Sequence, residues 1–388
     1  MSYLIILLKL AIAAPILLFQ IIFSFIFKIK IGKIDTSRIG NIFIADLYLR
    51  KKKINKSKII ELWVTDKKVC NYQMLKMLKK NFLIINFFRF YYDALIFLAI
   101  KINFFSKYLI ELNGQKDYIY FDKIKNQIKL TEKEILKASN IAKIFKIPPY
   151  TKIICISSRD SSYLKKKYPK DNYSYHNYRD SEIKNLIPTI KRLIKKKYFV
   201  VRVGREAKEK INIKDKYFLD YPFSKFKNDL LDFYFAKVCC LWIGSNTGVD
   251  CLAFMFEKPM IIMNLSPIGV LLQNSRNKKI IYHFKTYSKN NKKITLNNIF
   301  KNKLELIDRT QNFKKKNIIL HSASAKETSD ICLEGINYFL KKKKFNINDK
   351  KNHKNFNKKL SQLYNFKNNI FLSILSPIFL KKNKWIID

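Results

Sequence analysis

The sequence has few glycines and prolines, and its cysteines follow no pattern. With 8 Gly and 9 Pro in 388 residues, a collagen-like chain and a linker-like chain are both excluded. The six cysteines form no C-x-x-C pair and have no regular spacing, which excludes a disulfide scaffold or a zinc ribbon and suits a reducing compartment. The four histidines lie far apart along the chain, so we expect no multi-histidine metal site.

Acidic residues and arginine are also scarce. Asp and Glu number 29 against 77 Lys and Arg, which gives a net charge of +48, and ten of the basic residues are arginine. A dedicated nucleic-acid binder relies on the planar guanidinium for bidentate contacts, so we expect no specific nucleic-acid partner. A solvated lysine surface is one interpretation of the charge, and attraction to an anionic membrane or a phosphorylated ligand is the other. The hydrophobic content of 48% excludes a disordered chain.

A long apolar run is present at the amino terminus. Residues 4–27 are apolar except for Lys9, Gln20 and Ser24. As a helix the run would reach about 36 Å, enough for a hydrocarbon core of about 30 Å. Lysines at 28, 30 and 33 follow it, which by the positive-inside tendency places the rest of the chain in the cytoplasm. We therefore expect residues 1–30 to anchor the chain at the cytoplasmic face of the inner membrane, spanning or in plane; a buried core helix is the alternative.

The rest of the chain alternates between strand and helix patterns. Apolar, β-branched runs predict strands at 41–47 and 58–64, and helical patterns occupy 71–110 and 131–146. The second half predicts strands that alternate with helices, which is typical of a parallel α/β sheet. These strands fall at 152–158, 198–204, 238–244 and 259–264. The proline pair at 148–149 predicts a domain boundary.

These patterns predict four regions. A membrane-anchor helix at 1–30 precedes two α/β domains at 31–149 and 150–340, and a Lys-rich linker with a C-terminal helix occupies 341–388.

Three predicted strands end in polar sequences that could bind a ligand, because parallel α/β sheets bind ligands at the carboxyl ends of their strands. The sequences are Ser-Ser-Arg-Asp at 157–160, Arg-Val-Gly-Arg at 202–205 and Gly-Ser-Asn-Thr-Gly at 244–248. In the last, small residues allow backbone N–H groups to approach a phosphate near a helix start. Four of the ten arginines lie around these strand ends, at 159, 179, 202 and 205, and this clustering favours a diphosphate-bearing ligand. A structural ion pair is the alternative for each arginine.

Two other features near these loops have competing interpretations. His176 is the one histidine near the predicted strand ends, and it is either a base or a surface residue. Asp229 and Asp232 are three residues apart on a predicted helix, which fits a cation site, although salt bridging is the simpler role in a basic protein.

The region from Cys155 to Asn264 resembles a family of bacterial glycosyltransferases encoded with surface-polysaccharide genes. The resemblance rests on RDSSYL and YSYHNYRDSEI between 159 and 183, FVVRVGR at 199–205, LDYPFSKFKNDLLDFYFAKVC at 219–239, and WIGSNTGVD with EKPMIIMNLSP at 242–267. The strings SRIGNIFIADLYL and SPIFLKKN, near the two ends, also match. The family has a histidine before the Val-Arg-Asp of its first motif, where this chain has Ser157 and Ser158 before Arg159 and Asp160.

The resemblance implies a GT-B-like pair of Rossmann-type domains, with a nucleotide-sugar donor bound mainly by the second and transferred to a lipid-linked or growing glycan. A metal-independent reaction with no further cofactor is expected. We assign the donor diphosphate to Arg159, Arg202, Gly204, Ser245, Asn246, Thr247 and Gly248, and the base to Asp160 or His176. The alternatives are a non-catalytic basic membrane-surface protein and a same-fold transferase of another group, such as pyruvyl or glycerol-phosphate.

Overall fold

The chain divides into two compact units. The structure, a computed structural model, describes residues 3–23, 28–56, 58–270, 277–363 and 373–386. The N-terminal unit is Met1–Leu130 and the C-terminal unit is Thr131–Asp388. The division therefore precedes the proline pair at 148–149. The reason is that the first helix of the C-terminal unit, Glu132–Ala142, packs against its helix Asp229–Val238.

The N-terminal unit has a three-stranded parallel sheet flanked by helices. Its strands, in the order β2-β1-β3, are β1 (Ile29–Ile34), β2 (Ile60–Thr65) and β3 (Leu109–Ile110). Its helices are α1 (Tyr3–Phe23), α2 (Asn41–Asn55), α3 (Tyr72–Lys79), α4 (Arg89–Lys101) and α5 (Gly114–Asp117), with 3-10 turns at Asn86–Phe88, Asn103–Tyr108 and Tyr118–Tyr120. Gly32 lets the Trp63 ring pack on the central strand, because a Cβ there would lie 2.5 Å from the indole.

The strand predicted at 41–47 is wrong, because this segment forms the start of α2. A buried ion pair between Asp46 and Arg50, one helical turn apart, joins Arg50 Nε to Asp46 Oδ2 at 2.7 Å. The second Asp46 oxygen accepts the backbone N–H groups of Gln127 and Ile128 at 2.7 and 2.8 Å. Helical spacing alone brings this acid and base together on the buried side of the segment.

The N-terminal helix α1 packs on its own unit. Ala13 is buried in a cluster with Tyr91, Ala94 and Leu95 of α4, and Gln20 is buried as well. Residues 24–27, the end of the predicted anchor, lie outside the described residues. Among the helices that the structure describes, none combines the length and the apolarity needed to cross a membrane.

The C-terminal unit is built on a seven-stranded parallel sheet. Its strands are β4 (Ile153–Ile156), β5 (Phe199–Arg202), β6 (Phe218–Asp220), β7 (Leu241–Gly244), β8 (Met260–Leu265), β9 (Ile280–Phe284) and β13 (Ile374–Leu375), in the order β13-β9-β8-β7-β4-β5-β6. A smaller antiparallel sheet has β10 (Thr286–Lys289) between β11 (Lys292–Lys293) and β12 (Ile318–His321). The α/β class with parallel sheets is therefore confirmed.

Helices cover the sheets of the C-terminal unit. They are α6 (Glu132–Ala142), α7 (Ser162–Lys167), α8 (Ile187–Lys195), α9 (Asp229–Val238), α10 (Asp250–Met255), α12 (Leu296–Lys301), α13 (Thr310–Lys315), α14 (Ala325–Leu340), α15 (Ile347–Leu363) and α16 (Pro377–Lys382). Five 3-10 turns are Lys143–Phe145, Ser174–Arg179, Ile183–Leu186, Tyr221–Phe223 and Lys384–Ile386. The capping box predicted at the start of α6 is present, with both Thr131 and Glu134 bonded.

The C-terminal region is not the linker that its lysine content predicted. Residues 347–363 form α15, which buries Phe356 and Leu360, and β13 joins the large sheet beside β9. Part of the predicted C-terminal helix, 364–372, lies outside the described residues. Buried aromatic and aliphatic side chains spaced along a Lys-rich helix are enough to dock it on the fold.

Candidate active site

Two of the three polar loops chosen from the sequence meet where the strand order reverses. From β4 the chain continues to β5 and β6 on one side, and then returns to place β7, β8 and β9 on the other. Loops that follow two such neighbouring strands leave a crevice between them. Here the Arg159 backbone N–H, after β4, donates to Ser245 Oγ, after β7, at 2.7 Å. We call this place the switch-point crevice.

Asp250 holds the two loops of the crevice together. Its buried carboxylate accepts the Thr247 N–H and the Trp242 indole N–H, both at 2.8 Å, and the Ser157 hydroxyl. Burial raises the pKa of Asp250, although these hydrogen bonds oppose the rise. Gly244 is required beside it, because a Cβ would lie 2.6 Å from the carboxylate. Asp250 is thus a positioning residue, and sequence reasoning missed it.

The turn after β7 differs from the predicted helix start. Helix α10 begins at Asp250 rather than near Thr247, and the Thr247 N–H is already bonded to Asp250. Asn246 has a left-handed backbone with φ of 60°, and its carbonyl accepts from the Arg179 guanidinium. Ser245 is buried and Gly248 is exposed. This turn therefore offers the Ser245 hydroxyl and an arginine to a ligand, and it does not offer a long helix.

Three cationic side chains lie behind the crevice, close enough to the Asp180 carboxylate to affect it electrostatically. Arg159 Nε lies 3.7 Å from Asp180 Oδ1. Lys285, at the end of β9, is buried and donates to the carbonyls of Tyr178 and Asp180 at 3.0 and 2.7 Å. Arg179 donates to the Asn246 carbonyl, so it is the third cation held at this place. Such a cluster attracts an anion to the crevice.

Burial shifts the pKa values of two groups in this cluster. It lowers the pKa of Lys285 to about 8, while the charge of Asp180 opposes the shift and that of Arg159 adds to it. Burial also raises the pKa of the Asp180 carboxyl, against the charges of Arg159 and Lys285. Lysine and aspartate with pKa values drawn toward neutrality are typical of functional sites.

Arg202 is enclosed by the protein. It is 2% exposed, and one guanidinium nitrogen lies 2.7 Å from the Glu209 carbonyl and 3.3 Å from Asp220 Oδ1. Arg202 and Asp220 are register partners on β5 and β6. This geometry favours the structural ion pair over the diphosphate contact predicted from the sequence. Gly204, two residues later, has φ of 132°, which disfavours any side chain there.

The two predicted bases have unequal surroundings. The Asp160 carboxylate accepts the N–H groups of Ser162 and Lys208 at 2.8 and 3.0 Å, so it ties the loop after β4 to the loop after β5. His176 lies in the 3-10 turn Ser174–Arg179, where its ring packs on Tyr175 with centroids 4.1 Å apart.

The cation-site interpretation of the aspartate pair on α9 is not supported. Arg205 Nη1 lies 3.0 Å from Asp229 Oδ1 and 3.9 Å from Asp232 Oδ2, which makes these residues a salt-bridge group. Within the described ranges, no group of three or more His, Cys, Asp or Glu side chains is arranged to hold a metal ion. The metal-independent reaction stays a prediction.

Two further polar residues at the strand ends escaped the sequence analysis. Asn264, at the end of β8, donates to Ser181 Oγ at 3.1 Å and accepts the Ala323 N–H at 2.8 Å. Burial lowers the pKa of His283, on β9, to about 3, so this histidine is neutral, and its Nδ1 accepts the Asn264 N–H. The available signal was a polar residue at the end of an otherwise apolar strand, which also marks Lys285 after Ile-Ile-Tyr-His-Phe.

Comparison with known proteins gives distant structural similarity only. No protein-family model and no curated protein sequence matches the chain. The fold is similar to a glycosyl transferase family 9 protein from Veillonella parvula, at 9% identity and a TM-score of 0.47, covering 81% of this chain and 98% of the other. It is also similar to E. coli ADP-heptose LPS heptosyltransferase II, at 13% identity and a TM-score of 0.37, covering 60% and 84%. S. aureus MnaA with UDP matches at 12% identity and a TM-score of 0.30, covering 81% and 97%.

Proposed function

We propose that the C-terminal unit binds a nucleotide-sugar at the switch-point crevice and that the protein is a glycosyltransferase. The observation that carries the proposal is the cluster of Arg159, Arg179 and Lys285 at the place where Ser245 joins the loops after β4 and β7. A diphosphate is the part of a nucleotide-sugar that such a group of cations and hydroxyl donors recognises. The sequence resemblance supplies the reaction class.

The same cations would assist the transfer step. When the bond between the sugar and the diphosphate breaks, negative charge develops on the leaving nucleoside diphosphate. Preorganised donors at that place stabilise the transition state. Arg159 and Arg179 are held by Asp180 and by the Asn246 carbonyl, so they need little reorganisation. Arg202 has no part in this proposal, because Asp220 and Glu209 already surround its guanidinium.

An inverting transfer also needs a base for the acceptor hydroxyl. Asp160 is the weaker of the two predicted candidates, because its carboxylate already accepts two backbone N–H groups and holds two loops together. His176 is the stronger one by its chemistry. Asp180 is a further candidate, since burial raises the pKa of its carboxyl toward the range useful for proton transfer. We propose a glycan or a lipid-linked saccharide as the acceptor, from the resemblance alone.

A thermal-shift screen of the full chain against nucleoside mono- and diphosphates tests the proposal. A ligand at about 100 times its dissociation constant adds about 2.7 kcal/mol of stability, which is readily measured as a rise in melting temperature. We expect diphosphates to stabilise the protein more than monophosphates. If no nucleotide stabilises it, the nucleotide-sugar donor is excluded, and a pyruvyl transferase or a non-catalytic protein becomes the better description.

A pair of arginine variants locates the binding. Arg159→Lys keeps the charge but loses the planar fork, so we expect nucleoside diphosphate affinity to fall by about tenfold or more. Arg192→Lys is the matched control, because Arg192 on α8 pairs with Asp330 and Ser329 of α14. Equal nucleoside diphosphate affinities for the two variants would contradict binding of the diphosphate at the switch-point crevice.

A further inference from the structure

Residues 11–23 of helix α1 have their polarity reversed relative to a helix on a water-soluble surface. Between residues 11 and 23 every exposed side chain is apolar, and the stripe includes Ile12, Leu18, Phe19 and Ile22. The polar residue in this stretch, Gln20, points inward. It donates to the Ile29 carbonyl at 2.7 Å and accepts from the Tyr91 hydroxyl. A surface helix in water shows the opposite arrangement.

The segment around α4 adds to this apolar surface. Ile100 is 77% exposed and Phe104 is 52% exposed, and α4 is the helix on which α1 packs. We define the apolar surface of the N-terminal unit by its eight exposed members, Ile12, Leu18, Phe19, Ile22, Phe87, Ile100, Ile102 and Phe104. Beside α1 an apolar cavity of about 380 Å³ opens between Pro15, Phe19 and Phe88. The elements that carry these side chains are neighbours, because α4 contacts α1 and the 3-10 turns Asn86–Phe88 and Asn103–Tyr108. Large exposed apolar surfaces mark binding sites.

Lysines accompany the apolar surface. Lys101 alternates with Ile100 and Ile102 and is exposed, and Lys28 follows the α1 segment. Lys107 Nζ lies 3.6 Å from the Phe104 ring centroid, so this lysine forms a cation–π contact within the apolar surface. The aliphatic part of a lysine side chain can lie along an apolar surface while its ammonium group reaches the level of the lipid headgroups. Each lysine near an anionic membrane adds to the attraction, and the whole chain carries +48.

We propose that the apolar surface of the N-terminal unit docks in the headgroup–acyl boundary of an anionic bilayer, with α1 lying in the membrane plane. The in-plane orientation follows from packing, because one side of residues 11–23 lies against the cluster of Tyr91 and Leu95 of α4, while the exposed side chains of this stretch are apolar. The bilayer is favoured over a second copy because reversed helix polarity and flanking lysines both suit an anionic lipid surface. This inference goes beyond the proposed sugar transfer and concerns the N-terminal unit alone.

Flotation of the full chain with lipid vesicles tests the docking. The vesicles are phosphatidylcholine alone or phosphatidylcholine mixed with phosphatidylglycerol, at about 0.15 M and about 1 M KCl. We expect the protein to float with the anionic vesicles and to remain bound at the higher salt, because salt screens charge but not apolar burial. In Ile100→Asp and Phe104→Asp, alone and combined, we expect the vesicle partition coefficient to fall by about tenfold or more.

The matched control is Leu136→Asp, since Leu136 is 65% exposed on α6 of the C-terminal unit and should not touch lipid. A melting curve and nucleotide affinity for each variant show that it is folded and that the C-terminal unit is intact. The proposal is overturned if Ile100→Asp and Phe104→Asp float like the wild-type protein, or if high salt alone releases it. It is also overturned if the lipid-free protein is a dimer that these substitutions dissociate. If the membrane docking is disproved while nucleotide binding is intact, the transferase proposal is unaffected.

Discussion

Single residues at neighbouring strand ends have different roles that the sequence alone could not separate. Arg159 and Arg202 both follow a buried strand, and both were predicted to contact the diphosphate. The difference comes from Asp220, which lies 18 residues after Arg202 in sequence and directly beside it in the β5–β6 register. Register between two short parallel strands is a tertiary property, and no local pattern indicates it.

We expect Arg202→Ala to destabilise the fold and to leave nucleotide affinity unchanged. The substitution leaves the buried Asp220 carboxylate without its ion-pair partner. The loss of one partner of a buried ion pair lowers the free energy of unfolding by about 3–5 kcal/mol. Urea unfolding measures the loss, and calorimetry with UDP measures the affinity. The double variant Arg202→Met with Asp220→Asn removes both charges and should recover part of the stability. A loss of UDP affinity without a loss of stability would return Arg202 to the diphosphate site.

Lys285 is expected to make anion binding depend on pH. Burial holds the pKa of Lys285 at about 8, below its usual 10.5, so its positive charge is lost from the folded protein between neutral and alkaline pH. We expect UDP affinity to fall by roughly tenfold as the pH rises through this value, the size of one charge-assisted hydrogen bond. In Lys285→Met the dependence should be absent, and in Lys285→Arg the charge should persist. An identical pH profile in all three proteins would contradict this role.

The lowered pKa of Lys285 also makes the free energy of unfolding depend on pH. Between about pH 8 and pH 10.5 the unfolded chain retains the proton that the folded protein has released. The unfolded state therefore binds more protons in this window, and the free energy of unfolding increases with pH. Lys285→Met should lack that increase.

At the scale of elements, the C-terminal unit was largely predictable and the N-terminal unit was not. The predicted strands at 152–158, 198–204, 238–244 and 259–264 each overlap an observed strand, because buried parallel strands are continuous apolar runs. In contrast, residues 41–47 begin helix α2, which buries charged as well as apolar residues, including Asp46 and Arg50. Burial on several sides removes the periodicity from which a helix is predicted.

The docking of the C-terminal segment on α14 is expected to weaken as pH rises. Glu334 of α14 accepts the Ser376 hydroxyl at 2.5 Å and the Ile378 N–H at 3.0 Å. Burial raises the pKa of Glu334 to about 7 from 4.5, despite these hydrogen bonds. The folded state therefore binds more protons between these values. The stabilisation that protonated Glu334 contributes is complete below pH 4.5 and is lost as the pH rises through about 7.

Glu334→Gln tests this switch, because the amide mimics the protonated carboxyl. We expect the variant to be more stable than the wild-type protein at about pH 8, by up to about 3 kcal/mol, and to match it at low pH. Melting curves across the pH range give the comparison. A wild-type stability that does not change between these limits would show that Glu334 titrates normally.

At the scale of the whole molecule, the charge of +48 predicts nucleic-acid binding without sequence selectivity. Lysines contribute point charges that neutralise phosphates, and a protein with several such contacts loses affinity steeply as salt rises. We expect two unrelated DNA duplexes to bind equally at low salt and to dissociate together at higher salt, as measured by fluorescence anisotropy. Selective binding that persists at physiological salt would overturn the enzyme proposal.

One cluster of lysines can be tested as the site of nucleic-acid binding through the salt dependence of the affinity. Five lysines surround a cavity of about 740 Å³ beside the small antiparallel sheet, and no acidic residue lines it. Replacing three of them, in Lys292→Gln, Lys293→Gln and Lys316→Gln together, should reduce the slope of log affinity against log salt by about 3. The matched control removes the same charge from the exposed residues Lys133, Lys137 and Lys143. If both triple variants lower the slope equally, the contacts are spread over the surface; a larger fall for the cavity variant places them at the cavity.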